Sequence, residues 1–200
     1  GLKVTALVAG MVAGADCIDD MGVLRHGGTG KLFTGTYAPS TLGSFLRRFT
    51  FGHVRQLEAA ASRWLPLLAA ATPLASGIDD LALVDIDDTI KEVYGYKKQG
   101  SGYGYSGVRG LNAFIGTVTT GNAAPFIAAA RLRKGAANSA RGAGKFVSDL
   151  LANVARLRSK DAAGMVLLRS DSAFYAHAVA TAAARAGAKV SLTVRMDPAV

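Results

Sequence analysis

The chain has 200 residues, 50% hydrophobic and 18% charged, which is enough apolar side chain for one or two packed domains and argues against a disordered chain. A single cysteine, Cys17, excludes a disulfide framework or a cysteine zinc site and suits a reducing interior, with the cytoplasm as the expected compartment. The formal charge of +9 is confined to one segment: twelve Lys and Arg face three acids from Lys91 to Asp161, and the rest balances at eleven of each. Such an excess suits a polyanion held beside it, nucleic acid first, and its plainer reading is a solvated basic surface.

In chain order, Leu2 to Ala15 reads as one apolar helix. Its apolar stretch is too short to span a bilayer and lacks a cleavage-site context, so no membrane segment is expected. Asp16, Asp19 and Asp20 follow as a polar exit or as the cap of the next helix. After a glycine-rich loop from Arg25 to Lys31, Pro39 opens a second helix with Ser40 or Thr41 as its cap. There Leu42, Phe45, Leu46 and Phe49 lie at helical spacing with Arg47 and Arg48 opposite. A third helix runs from His53 through Leu57 and Trp64 towards Ala71. Short helices with arginines on open faces are either a DNA-binding module or packing helices, and no base-reading pattern decides between them.

Pro73 to Asp80 is turn chemistry and marks a boundary. Residues 1–78 are read as a helical N-terminal region with DNA-end binding as its candidate role, and residues 79–200 as a second domain. Beyond the boundary, Leu81 to Ile90 reads as a strand, and Leu111 to Thr119 with Pro125 to Arg133 as a hairpin. Helices are expected over Gly144 to Leu157 and Ser172 to Ala186, and strands over Gly164 to Leu168 and Lys189 to Val194. The order β-β-β-α-β-α-β implies an α/β domain whose mixed sheet starts antiparallel and continues with parallel crossovers.

Leu81 to Ile90 is the informative strand because it crowds Asp85, Asp87 and Asp88 into an apolar, β-branched run. Alternation puts Asp85 and Asp87 on one face, about 7 Å apart, and Asp88 on the other with Val84 and Ile86. Two like charges at that spacing repel, and a hard divalent cation with carboxylate ligands relieves them. Asp171 falls where the next parallel strand runs out. If these strands are neighbours, acids from both meet at one site, the arrangement that metal-dependent phosphodiester chemistry requires. The basic segment would then hold the phosphate backbone through Lys97, Lys98, Arg109, Arg131, Arg133, Lys134, Arg141 and Lys145, although a solvated face is the plain reading of any one of them. Arg169 and Tyr175 flank Asp171 and are candidates to orient it, with core packing the rival role for Tyr175.

Four stretches in order, Val84-Asp-Ile-Asp-Asp-Thr-Ile, Glu92-Val-Tyr-Gly-Tyr-Lys-Lys-Gln-Gly, Gly102-Tyr-Gly-Tyr-Ser-Gly-Val-Arg-Gly-Leu-Asn-Ala and Leu168-Arg-Ser-Asp-Ser-Ala-Phe-Tyr, resemble the DDE transposases of bacterial insertion sequences. The likeness is greatest to the insertion-sequence 1380 family. The resemblance implies a ribonuclease-H-like catalytic domain that binds Mg2+ or Mn2+ with an Asp-Asp-Glu triad and cuts and rejoins double-stranded DNA at transposon ends. Its setting is the bacterial cytoplasm at the nucleoid, with a homodimer as the candidate assembly. Carried over by position, the first catalytic acid is Asp87, with Asp85 as the fallback and a further metal ligand, and the second is Asp171. The third, a Glu in the later part of family members, has no counterpart, since the only glutamates are Glu58 and Glu92. The sequence, which starts at Gly1 and stops in Met-Asp-Pro-Ala-Val, therefore reads as an N-terminal piece of a transposase that is inactive alone. The non-catalytic alternative is a DNA-binding remnant or an inhibitor of transposition.

Two other motifs are set aside. Gly102-Tyr-Gly-Tyr-Ser-Gly107 fits G-x-G-x-x-G but precedes a strand, so its glycines are expected to serve a tight turn or a close backbone approach. Asp85-Ile-Asp87-Asp88-Thr89 also fits the nucleophile motif of haloacid-dehalogenase-type phosphatases. That class needs a later paired-acid motif for magnesium, and none follows Asp171.

Overall fold

The structure, a computed structural model, describes residues 1–33, 35–95 and 98–194. Two compact units divide the chain, Gly1–His53 and Val54–Val200.

In the first unit, α1 (Leu2–Val12) and α2 (Pro39–Leu46) enclose a small core of Ala6, Leu7, Ala15, Met21 and Leu42. The expected loop around Arg25 is instead two short 3-10 helices, Asp19–Arg25 and Gly27–Lys31. Ser40 and Thr41 do not cap α2. Pro39 already occupies its first turn, where a missing N–H costs nothing, and Ala38 is the capping position. The Asp20 carboxylate accepts from the Asp16 and Cys17 amides at 3.4 and 3.2 Å, which fixes the exit from α1.

The second unit is built on a sheet of six strands among the described residues: β1 (Leu81–Glu92), β2 (Gly102–Tyr103), β3 (Arg109–Thr119), β4 (Phe126–Lys134), β5 (Met165–Ser170) and β6 (Lys189–Leu192). β1 is antiparallel to β3, and β3 to β4, with the short β2 beside the start of β3. β1 is also parallel to β5, and β5 to β6. Across the sheet the long strands therefore run β4, β3, β1, β5, β6, an antiparallel meander followed by two crossovers. That is a ribonuclease-H-like arrangement, with β1 at the centre.

Helices α3 (Phe51–Ala71), α4 (Ala143–Leu157) and α5 (His177–Arg185) contribute to one core against one side of this sheet. Ala82, Val84 and Ile86 of β1 alternate inward to meet Phe146, Val147, Leu150 and Val154 of α4, which recur at helical spacing. Gly116 of β3 lets α4 approach, because a Cβ there would lie 2.6 Å from a Leu150 methyl. Ser172 to Tyr175 is not yet the expected helix. Ser172–Phe174 forms a 3-10 turn that drives Phe174 into the core, 5.7 Å from the Phe114 ring centre, and α5 begins only at His177.

Arg131 fastens three elements at once. Its guanidinium donates to Glu58 of α3 at 3.1 Å and to Asp149 of α4 at 2.7 Å and lies over the Phe146 ring. Burial opposes the charge on Asp149, but hydrogen bonds from Lys145 and Arg131 outweigh it, so the carboxyl is held below the ordinary carboxylate range. A depressed folded-state pKa adds stability above the unfolded value of about 3.9 that is lost as pH falls through the folded value. Asp149→Asn should therefore melt below the parent chain at neutral pH, with the gap closing as the pH falls below the unfolded carboxyl value. Melting curves across that range check it, and a gap independent of pH would show that the Asp149 charge is not involved.

Candidate functional site

The register of β1 sorts its three acids. Asp88 lies half-buried on the helix-covered side with Val84 and Ile86, and a charge partly withdrawn from water needs partners. It has them: Asp88 Oδ2 accepts from Asn112 Nδ2 at 2.7 Å and Arg133 Nη2 at 3.0 Å, and Oδ1 from Ser139 Oγ at 3.0 Å. Asp85 and Asp87 lie on the opposite, open side. Asp85 is gripped by Arg169, Nε to Oδ1 at 2.7 Å and Nη2 to Oδ2 at 2.8 Å. That bidentate hydrogen bonding raises the guanidinium's pKa above its ordinary value.

Asp87 is the exposed acid of the cluster. The last paired step between β1 and β5 sets Ile86 beside Ser170, and that register carried one residue further would set Asp87 beside Asp171, whose backbone is still extended. Neighbouring strands are about 4.8 Å apart, and residues paired across parallel strands share a face, as the Asp85–Arg169 ion pair shows. Asp171 ends its strand by capping the 3-10 turn, its Oδ1 accepting from Ala173 N at 3.0 Å. Asp87 Oδ1 accepts from Asp88 N at 2.7 Å. Each carboxylate keeps a second oxygen for which the described residues provide no hydrogen-bond partner. Two hard oxygen donors on one face fit part of the shell of a divalent ion. They do not complete one: among the described residues the only three metal-type ligands within 4.8 Å of one another are Asp16, Cys17 and Asp20, in the other unit. Neither glutamate adds to the face. Glu58 is paired to Arg55 and Arg131, and Glu92 accepts from the Tyr94 hydroxyl and lies at an alternating position opposite in phase to Asp87.

Arg169 thus engages Asp85 and makes no bond to Asp171, while Tyr175 is 63% exposed and is not a core residue. The same register divides the basic residues. Arg131 and Arg133 pair with Phe114 and Asn112 of β3, on the helix side. Arg131 is spent on Glu58 and Asp149. Arg133 lies 3.4 Å from the Phe114 ring centre and donates to Asp88, Asn112 and the carbonyls of Asn138 and Arg141. Burial pushes its pKa down, and the Asp88 charge beside it works the other way. Both were expected at phosphates; both are internal struts. Arg109 donates to Gly95 O and Ser101 Oγ, and Lys145 pairs with Asp149. Lys98, Lys134 and Arg141 are exposed, and Lys97 lies outside the described residues.

On the acid face, Lys134 and Lys91 both lie opposite Leu111. Lys91 was missed from sequence although the signal was there, since positions 85, 87, 89 and 91 of one strand share a face. Asn112, buried at the centre of the Asp88 network, carried no signal beyond being polar in an apolar strand.

Two stability outcomes follow. Arg133→Met leaves Asp88 without its cation and should cost about 3 kcal/mol in urea unfolding; a loss within about 0.5 kcal/mol would mean that the pair is solvated. Arg169→Met releases Asp85 on the open face, where solvent screens it, and should cost less than about 1 kcal/mol.

A search of curated proteins gave no match. Among solved structures, the chain is similar to the Mos1 strand transfer complex at 12% identity and a TM-score of 0.32, covering 94% of this chain and 56% of that one. It is similar to the Mos1 mariner paired end complex with Mn at 10% and 0.34, with coverage of 94% and 57%, and to the complex with Mg at 10% and 0.32, with coverage of 98% and 58%. The chain spans little over half the length of these Mos1 chains. The family described as transposase DDE domain group 1 matches residues 4–199, nearly the whole sequence, and the chain belongs to that family.

Proposed function

We propose that this chain supplies two of the three acids of a DNA transposase of the insertion-sequence 1380 type, Asp87 and Asp171, and that they hold Mg2+ or Mn2+ against a transposon end. The observation that supports the reading is the β1–β5 register, which pairs Ile86 with Ser170, the residues just before Asp87 and Asp171, on a sheet whose acid face also bears Lys91 and Lys134. When bound, such an ion supplies Lewis-acid activation of the attacking hydroxyl and stabilisation of the leaving oxygen.

The remaining roles belong to the chain's own residues. The Asp88 amide holds one oxygen of Asp87 and leaves the other to a ligand. Arg169 neutralises Asp85, which would otherwise set a third negative charge on the face and oppose an incoming phosphate. The exposed Lys98, Lys134 and Arg141, together with Lys91, hold phosphates by charge. Because both glutamates of this sequence are engaged elsewhere, the third acid comes from outside these 200 residues, and the chain binds metal and DNA without cutting. Residues 1–78 take the role of engaging the DNA end, the pairing of two ends takes a homodimer, and the setting is a bacterial cytoplasm. A non-catalytic DNA-binding remnant shares every one of these features except the borrowed acid.

Titration with Mn2+, followed by the electron paramagnetic resonance of the free ion, tests the site. Asp87→Asn and Asp171→Asn should each weaken binding at least about tenfold, and Asp85→Asn should not. Equal losses at all three positions would put Asp85 among the ligands. Robust nicking or strand transfer by residues 1–200 alone would overturn the incomplete triad.

A further inference from the structure

Between β1 and β3 the chain holds large rings out in solvent. Tyr103 is 68% exposed and Tyr105 wholly so. Tyr94 is exposed as well, but its hydroxyl is tied to Glu92. The backbone beneath Tyr103 and Tyr105 is packed as closely as a core. A Cβ on Gly104 would lie 2.5 Å from Gly135 O, and one on Gly135 would lie 2.1 Å from Gly110 O and 2.5 Å from Gly102 O. Gly135 N also donates to Gly100 O at 3.0 Å. Only glycines can cross at these separations, so the loop is clamped to the end of β4 and the two rings are presented from a fixed base.

The register gives the side that Tyr103 faces. Tyr103 pairs with Arg109, whose alternation along β3 places both on the face of Asp85 and Asp87. Val93 N donates to Arg109 O, so this pair is level with a point six residues beyond Asp87, about 20 Å along the strand. Lys91 and Lys134 lie between, and Lys98 stands exposed at the start of the loop. Outward rings beside cations combine the two contacts that unpaired nucleic acid takes: charge for the phosphates and a π-face for the bases. Inside a duplex the bases stack on one another and leave no face to a protein ring.

We propose that Tyr103 and Tyr105 form a stacking platform for unpaired bases of a DNA end that lies along the Asp87–Asp171 face. The proposal rests on the DNA reading given above and adds the state of the DNA to it. Removing a stacked ring costs a factor of roughly ten in affinity.

Fluorescence anisotropy of the full chain on two labelled probes, oligothymidylate and a blunt duplex of equal phosphate count, separates the two readings. Tyr103→Ala and Tyr105→Ala should each weaken the single-stranded probe about tenfold and leave the duplex unchanged, while the Phe variants bind as the parent does. Lys134→Ala should weaken both probes and lower the salt slope by about one. The platform is overturned if the Ala variants lose nothing, if they lose equally on both probes, or if Phe is as weak as Ala. Any of these outcomes with both probes still bound by the parent chain overturns the platform and leaves the DNA reading in place. If neither probe binds, the DNA reading falls and the platform with it.

Discussion

The structure depends on the phase of one strand. Along β1, Ala82, Val84 and Ile86 turn into the core and Asp85 and Asp87 turn away, and a slip of one residue would bury both acids and expose the core face. The apolar side chains alone would resist such a slip. Asp88 makes it still more costly, because its carboxylate reaches Asn112 of β3, Arg133 of β4 and Ser139 of the loop before α4, so four segments meet in one satisfied network. Desolvating the Asp88–Arg133 pair makes it a poor source of net stability, so its contribution is better sought in specificity. It accepts one pairing of β1, β3 and β4, and that pairing sets Asp87 at the surface.

Net charge shows that a basic footprint exists and does not show which residues make it. Of the arginines in the basic segment, Arg131 and Arg133 are consumed in holding helices and strands together, and Arg109 braces the glycine-rich loop. Among the described residues, Lys91, Lys98, Lys134 and Arg141 are left facing outward. The two kinds suit their tasks: a planar guanidinium satisfies several fixed acceptors at once, as Arg133 does, whereas an ammonium on a long stem serves as a mobile point charge.

Much of this was legible in the sequence. The alternation of β1, the hairpin, the helical spacing of α4 and the motif around Asp171 sufficed for the order of elements and for the likeness to DDE transposases. Three things were not. Which arginines are struts depends on the register of β4 against β3, which is shifted by an irregularity at Gly116/Thr117 that no local pattern announces. The 3-10 turn after Asp171 is decided by Phe174 reaching the core, a tertiary contact that overrides the helical propensity of an alanine-rich run. The glycines at 102, 104, 110 and 135 are separated in sequence and meet only once β2 and the end of β4 are placed.

The choice between Asp85 and Asp87 shows what geometry adds to a motif. Asp87 stands in the Asp-x-Thr pattern with Thr89, Asp85 two residues earlier is the fallback, and both lie on the open face. Asp85 has both oxygens engaged by a guanidinium that is itself strengthened by the pair, so recruiting it to a cation means breaking two charge-assisted bonds and leaving Arg169 unpaired. Asp87 is engaged through one oxygen by its neighbour's amide, an interaction that a ligating carboxylate can keep. Because Asp171 follows Arg169 by two residues, just past the end of β5, the register that sets Arg169 against Asp85 would, carried two residues on, bring Asp171 level with Asp87. The excess acid is silenced and the proposed pair aligned by a single register.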